Sequence, residues 1–284
     1  MNTAIVWFRK TLRVHDNEVL TWACNSDDVD RILPIFIMDF EDLFDENNRI
    51  SYNRIRFLQE SLEDLNARMG EKIDSNLTLF SGKYLDVIKS ISSKFVNENV
   101  YLAYEYCSEP NSRNIVSSLK SWIIDNESSL ILKEFPSQHT LLDIEQVVTS
   151  PNYRNPKSMK DMEKIFNEHL GKNSLGFYNV TSPLPVPHNS KSTLTLPQNK
   201  RILSFDELDS KIHQYFPEND KSQNYFIGGE TEALSRLSSK IVGKTDFVNG
   251  FQKPKTCSTN SENDTREPST TGLSPYISHG CLSV

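Results

Sequence analysis

The chain has 284 residues, which predicts about two domains and excludes a single small disulfide-stapled module. Hydrophobic residues make up 37% and aromatic residues 10% of the chain, enough to build a core, so wholesale disorder is excluded. The formal net charge of -7 has the wrong sign for a protein whose whole surface binds a polyanion.

The four cysteines lie far apart and form neither a CxxC pair nor a Cys/His spacing, which argues against a disulfide framework and against a metal site. They are Cys24, Cys107, Cys257 and Cys281. A reducing compartment fits this pattern best. No stretch approaches the roughly 20 apolar residues of a membrane span, so we expect no membrane partner.

Five short apolar runs in the first half are rich in β-branched and aromatic residues, which predicts buried strands. They cover residues 3–8, 32–38, 77–80, 100–104 and 130–132. Between them apolar residues recur at helical spacing, as do Leu58, Leu62 and Leu65. Strand and helix alternation requires crossover connections, so residues 1–135 are predicted to form a Rossmann-like, doubly wound α/β domain with a five-stranded parallel sheet.

After residue 135 the pattern changes, and residues 136–225 read as a long surface connection. This connection contains one plausible helix at 157–170, a proline-dense stretch at 181–187 and a polar run at 188–200. Another helix is predicted to begin after Gly228 and Gly229. The stretch 255–271 is dominated by small polar and charged residues, which indicates a loop.

Three motifs follow one another along the chain. Residues 7–17 read WFRKTLRVHDN, residues 228–234 read GGETEAL, and residues 271–276 and 280–283 read TGLSPY and GCLS. In order and spacing they resemble the opening strand and turn, the GGETEAL helix and the flavin-phosphate turn of the cryptochrome/photolyase family. The GGETEAL element is most similar to the animal cryptochrome and (6-4) photolyase branch.

The resemblance implies three regions. Residues 1–135 would form an α/β domain that in some members holds an antenna pigment, residues 136–225 an interdomain linker, and residues 226–284 the start of an all-α FAD-binding domain. Family members continue past the GCLS motif into helices that surround the flavin. We therefore expect an incomplete FAD-binding domain, with neither bound flavin nor repair activity in the 284-residue form.

The resemblance also implies which residues contact the cofactor, although it assigns no catalytic residue. The phosphates of FAD would be held by Thr270, Thr271, Gly272, Leu273 and Ser274, with Ser274 foremost. A hydroxyl-containing turn that merely caps a helix is the structural alternative. Phe251 and Lys253 would line the approach to the cofactor. Ser278 stands where the family usually has a basic residue, which weakens a phosphate or DNA contact there.

Other polar and aromatic residues of the motifs are expected to be structural. Asp16 and Asn17 are placed to cap the helix at 18–24 and to pair with Arg13, and His15 is expected to pack at the same turn. All three tryptophans are predicted to pack in the core of the α/β domain rather than to form an electron relay. They are Trp7, Trp22 and Trp122.

Three functions stay open at this point. The first is (6-4) photolyase-like repair, in which light drives an electron from reduced FAD into a pyrimidine photoproduct of UV-damaged DNA, a carbon–carbon lyase reaction. The second is a cryptochrome-type blue-light photoreceptor or circadian regulator that acts through clock or signalling proteins. The third is an inactive α/β scaffold with at most antenna-type or nucleotide binding. The resemblance implies a location in the nucleus and cytoplasm.

Overall fold

A computed structural model describes residues 1–45, 50–95, 98–138, 140–217, 226–243 and 271–284. Its strands are β1 (Asn2–Phe8), β2 (Arg31–Met38), β3 (Thr78–Ser81), β4 (Asn99–Glu105), β5 (Leu130–Phe135), β6 (Ser192–Thr193) and β7 (Ile202–Leu203). Its helices are α1 (Glu18–Asn25), α2 (Phe40–Leu43), α3 (Tyr52–Ile73), α4 (Tyr84–Ser92), α5 (Pro110–Asp125), α6 (Ile144–Thr149), α7 (Met159–His169), α8 (Phe205–Tyr215), α9 (Glu230–Lys240) and α10 (Ser274–Ser278).

The predicted parallel sheet is confirmed, with its five strands in the order β5-β4-β1-β2-β3. In register, Val6 of β1 lies opposite Pro34 of β2 on one side and Ala103 of β4 on the other. Two short strands extend this sheet to seven, since β7 runs antiparallel to β3 and β6 pairs with the start of β2. The fold is thus the expected α/β class, and the sheet is larger than the five strands predicted.

Helices cover both faces of the sheet, because its strands are apolar on both sides. On one face, α1 and α3 bury Leu20 and Leu62 against the side chains of Val6 and Ile32. On the other face, α4 and α5 bury Ile88 and Leu119 against the strand side chains that point to that face. This arrangement is the doubly wound fold that the alternating pattern predicts.

The segment after β5 differs from the expected surface connection. Leu203, Leu208 and Ile212 are buried in the core on the α1 and α3 face, and β6 and β7 add to the sheet. Polar residues dominate the sequence around these side chains, so its pattern predicts a loop. Tertiary packing instead forms two short strands and a helix there. The boundaries at residues 135 and 225 stay predictions.

The segments that the sequence places in a helical domain pack on the same core. Ala233 of α9 and Tyr276 of α10 are fully buried among the residues of α3 and β1. The Tyr276 hydroxyl donates a hydrogen bond of 2.8 Å to the Ile227 carbonyl, which links the two segments. Leu282 and Cys281 complete this contact beside Ser61 of α3.

Candidate functional site

A crevice of about 350 Å³ opens beyond the carboxyl ends of β1 and β2. It lies at the point where the strand order reverses, because the chain passes from β1 to β2 on one side whereas β4 pairs with β1 on the other. Open parallel sheets bind their ligands at such switch points. Its walls come from the end of β1, the start of α4 and the first turn of α5.

Arg9 is one of three cations that line this crevice, with Lys10 and Arg54, and it is the one stacked on aromatic rings. Its guanidinium carbon lies 4.9 Å from the centre of the Trp7 ring and 5.1 Å from that of Tyr104. One guanidinium nitrogen, Nη2, donates to the carbonyl of Glu105. Two other Arg9 nitrogens, the Trp7 indole nitrogen and the Tyr104 hydroxyl are buried without a hydrogen-bond partner among the described residues. Buried polar atoms of this kind ordinarily have partners, so they fit a polar ligand.

Two tyrosines beside Trp7 are neutral donors. Burial raises the pKa of Tyr84 to about 12, and burial also raises the pKa of Tyr104 well above its ordinary value. Their ring centres lie 5.9 Å and 6.0 Å from that of Trp7. Tyr84 lines the crevice, whereas Tyr104 lies behind Arg9 and Trp7. The crevice therefore offers aromatic faces, one phenol donor and one stacked cation, a set suited to a planar ligand with acceptor groups.

The predicted phosphate turn is only partly accessible. Gly272 and Leu273 are buried, and Leu273 belongs to the core. Thr271 is half-buried, and Ser274 is exposed as the first residue of α10. No other described residue forms a hydrogen bond with the hydroxyl of Thr271 or Ser274. The structure thus leaves two of the four described residues able to contact a ligand through their side chains.

Gly272 is needed for the shape of this turn. Its φ of +67° is left-handed, and a Cβ there would lie 2.8 Å from a ring carbon of Phe226 and 3.5 Å from a guanidinium nitrogen of Arg236. Arg236 therefore approaches the turn closely, while its Nε lies 2.8 Å from Glu232. Two hydroxyls beside a guanidinium fit a phosphate group. Thr270, Phe251 and Lys253 lie outside the described residues.

The GGETEAL motif packs the start of α9 closely against α3. A Cβ on Gly228 would lie 2.2 Å from the Phe57 carbonyl of α3, so only glycine allows this approach. The Gly228 N–H donates to Glu60 at 2.8 Å, and the Thr231 N–H donates to Asp64 at 3.1 Å. Carboxylates of α3 thus satisfy free N–H groups at the start of α9.

Glu230, the next residue of the motif, is a fully buried carboxylate. It accepts from the Val14 N–H at 2.8 Å and from His15, and Arg68 Nε lies 2.8 Å away. Burial by itself opposes ionisation, but these partners hold the pKa of Glu230 below its ordinary value. The side chain joins α9, α3 and the turn after β1.

The structural roles expected around the first motif are confirmed. The Asn17 side chain accepts from the Leu20 N–H at 2.9 Å and caps α1. Asp16 pairs with Arg13 at 3.9 Å, and it also accepts from the Leu184 N–H at 2.8 Å. Arg13 donates to the carbonyl of Gly280 at 3.1 Å. The turn after β1 therefore holds distant segments together.

The tryptophans also lie where the sequence predicts. Trp7 is buried in the core, and Trp22 and Trp122 pack against the two cores. Sequence reasoning treated Trp7 as packing alone and missed its position at the crevice. It also missed Arg9 and Tyr104, although both stand at the ends of predicted strands that neighbour each other at the switch point.

No group of His, Cys, Asp or Glu that could hold a metal ion occurs within the described ranges. Cys24, Cys107 and Cys281 are buried free thiols there. Among the helices of the described part of the chain, none combines the length and apolar character needed to cross a membrane.

Residues 4–187 match the family model for DNA photolyase. The chain is 29% identical to a (6-4)DNA photolyase of Arabidopsis thaliana over 99% of its own length and 48% of that protein. It is also 29% identical to Cryptochrome-1 of Macaca fascicularis, covering 99% of the chain and 44% of that protein. The chain spans about half the length of these relatives.

Two crystal structures share the fold. A cryptochrome of Synechocystis sp. PCC6803 superposes with a TM-score of 0.73 at 20% identity, covering 100% of this chain and 53% of that one. An archaeal photolyase of Sulfolobus tokodaii with two FAD molecules gives a TM-score of 0.64 at 21% identity, covering 99% of this chain and 53% of that one.

Proposed function

Because this chain belongs to the DNA photolyase family, we propose that it acts as a flavoprotein of the (6-4) photolyase type on UV-damaged DNA. When bound, FAD would supply the light-excited electron that reverses a pyrimidine photoproduct. Likeness to a (6-4)DNA photolyase over nearly the whole chain supports this proposal. The observation that carries it is the position of Ser274, exposed at a turn that Tyr276 and Leu273 fix on the core.

In this proposal the phosphates of FAD contact Thr271 and Ser274 through hydroxyl hydrogen bonds. Arg236 contributes positive charge, since its guanidinium lies beside Gly272. Thr270 would add a further phosphate contact, and Phe251 and Lys253 would line the approach to the cofactor, as the family pattern implies. Leu273 supports the turn by packing in the core.

We also propose that the crevice at Arg9 binds an antenna-type pigment. Its support is the set of buried, unpartnered polar atoms on Arg9, Trp7 and Tyr104 together with the surrounding aromatic rings. The structural relative with two FAD molecules agrees with a second ligand in this fold. Arg9 would hold an acceptor group, and the Tyr84 phenol would donate to the ring system.

Flavin binding decides between this proposal and the expectation from the sequence that the 284-residue form binds no flavin. It is measured with purified protein, by near-ultraviolet and blue absorbance and by titration with FAD. We expect Ser274→Ala to weaken FAD binding about tenfold, since a lost hydrogen bond to a charged group weakens binding by this order. Ser278→Ala is the matched control, because Ser278 is exposed at the other end of α10. Equal FAD affinity of the two variants would contradict the phosphate contact.

A cryptochrome-type photoreceptor or circadian regulator is the second candidate, since Cryptochrome-1 proteins reach the same identity. Repair of DNA that contains (6-4) photoproducts, under blue light and in the dark, distinguishes the two. Light-dependent repair supports the photolyase proposal. Bound flavin without repair favours the cryptochrome function, and its protein partners would act in the nucleus and cytoplasm. Absence of flavin binding supports the inactive scaffold.

A further inference from the structure

A groove between α6 and α7 lies apart from both sites described above. Its volume is about 440 Å³, within the range of small-molecule pockets. The side chains of Arg154, Lys157 and Lys164 line it, together with the polar side chains of Asn152, Tyr153 and Asn155. Val147 and Ile165 supply the apolar part of its wall.

The three cations of the groove form no ion pair with any described residue. Many other basic side chains are paired, as Arg56 is with Glu60 at 2.8 Å and Arg236 is with Glu232 at 2.8 Å. An unpaired cation keeps its full charge available to a ligand. Three of them around one groove create a local positive field on a chain whose net charge is -7.

Two carboxylates, Asp161 and Glu168, also line the groove and reduce this field. Asp161 is engaged within the protein, because its Oδ2 accepts from the Lys157 N–H at 3.0 Å and from the Ser158 hydroxyl at 2.9 Å. These two hydrogen bonds lower the pKa of Asp161. The three cations outnumber the two carboxylates, so the groove carries a net positive charge. Of the two carboxylates, Glu168 is the one that forms no hydrogen bond or ion pair with any described residue.

We infer that this groove binds a phosphate ester, either of a nucleic-acid backbone or of a free nucleotide. Arg154 presents a planar fork that suits two phosphate oxygens, and Lys157 and Lys164 act as point charges. The Tyr153 hydroxyl donates to Asn155 Oδ1 at 2.9 Å, so the side-chain amides of Asn155 and Asn152 are left to donate hydrogen bonds to the sugar or base. The inference does not depend on bound flavin, so it stands or falls separately from the proposed function.

The test measures binding of two fluorescent probes in the dark, an undamaged duplex oligonucleotide and an ATP analogue. The variant combines Arg154→Gln, Lys157→Gln and Lys164→Gln. We expect it to bind at least about tenfold more weakly at low salt than the unchanged protein. For duplex DNA, each lost phosphate contact lowers the salt slope by about 0.9, so the slope should fall by about 2 to 3.

The matched control combines Lys72→Gln, Lys94→Gln and Lys200→Gln, which removes the same charge from exposed positions elsewhere. Equal weakening by both triple variants, or binding of neither probe by the unchanged protein, would overturn the inference. Binding of the duplex alone assigns a nucleic-acid backbone. Binding of the ATP analogue with the same variant dependence assigns a free nucleotide.

A folding check accompanies these measurements, by circular dichroism and thermal unfolding. Should the triple variant unfold, Arg154→Gln and Lys164→Gln are measured singly, with about two- to tenfold weaker binding expected of each. Arg154→Lys keeps the positive charge but lacks the planar guanidinium group. It should recover part of the affinity lost in Arg154→Gln, and no recovery would contradict the charge contact.

Discussion

The carboxylate of Glu230 accepts a hydrogen bond of 2.8 Å from the backbone N–H of Val14, 216 positions earlier in the chain. Arg68 of α3 lies 2.8 Å from the same carboxylate, and none of the Glu230 side chain is exposed. This contact ties the GGETEAL motif to the WFRKTLRVHDN motif. Two stretches by which the family is recognised are therefore partners in one structural contact.

Glu230→Gln should destabilise the protein by about 3 kcal/mol, because it leaves the Arg68 cation without its buried partner. The change keeps the shape of the side chain, so its effect reports the charge. Glu232→Gln on the same helix is the control and should lose at most about 1 kcal/mol, since Glu232 is partly exposed in its pair with Arg236. Urea unfolding measures both. Equal losses would show that Glu230 contributes no more than a surface ion pair.

The same carboxylate makes stability depend on acid pH. The pKa of Glu230 is held below its ordinary value of 4.5 in the folded protein, so ionised Glu230 stabilises the fold above that value. The stabilisation is lost as the pH falls from 4.5 through the folded pKa. Urea unfolding between pH 7 and acid should show a smaller decline for Glu230→Gln than for the unchanged protein. Parallel pH profiles would contradict the role of Glu230.

Gly280 of the GCLS motif packs directly on the backbone after β1. A Cβ at this position would lie 1.8 Å from the Lys10 carbonyl oxygen, and its φ is +67°. Gly280→Ala should therefore cost about 3 kcal/mol or more, since backbone strain adds to overpacking.

Gly176→Ala is the control for that substitution, because Gly176 has a φ of +83° but open space around it. Only the strain of a left-handed backbone remains there, which costs about 1 to 2 kcal/mol. Thermal unfolding compares the two variants. Similar losses would show that close approach to Lys10 contributes little.

The sequence predicts the sheet well because local patterns determine it. Apolar runs such as residues 3–8 become strands, and the alternation with helices requires parallel pairing. The strands at 192–193 and 202–203 were missed because two residues carry no periodicity. Their pairing depends on distant partners, such as Arg31 for Ser192.

The candidate sites were predictable in part for the same reason. Motifs locate Ser274 and Thr271 by order along the chain. Arg9 and Tyr104 become neighbours only when β1 and β4 pair, and no local pattern brings together residues 95 positions apart. Conversely, Glu230 belongs to a recognised motif, but only the structure shows that its carboxylate joins three segments.

Two buried threonines near opposite ends of β1 should change the stability of the fold in opposite directions when each is replaced by valine. The Thr11 hydroxyl is buried without a hydrogen-bond partner among the described residues, whereas the Thr3 hydroxyl accepts from Arg31 Nε at 2.7 Å. Valine has nearly the same shape as threonine but no hydroxyl. Thr11→Val should stabilise the fold by up to about 1 kcal/mol, because it removes an unsatisfied polar group. Thr3→Val should destabilise it by about 1 to 3 kcal/mol, because it leaves a donor of Arg31 unpaired. Urea unfolding at neutral pH compares them, and loss of stability in Thr11→Val would show that this hydroxyl has a partner such as buried water.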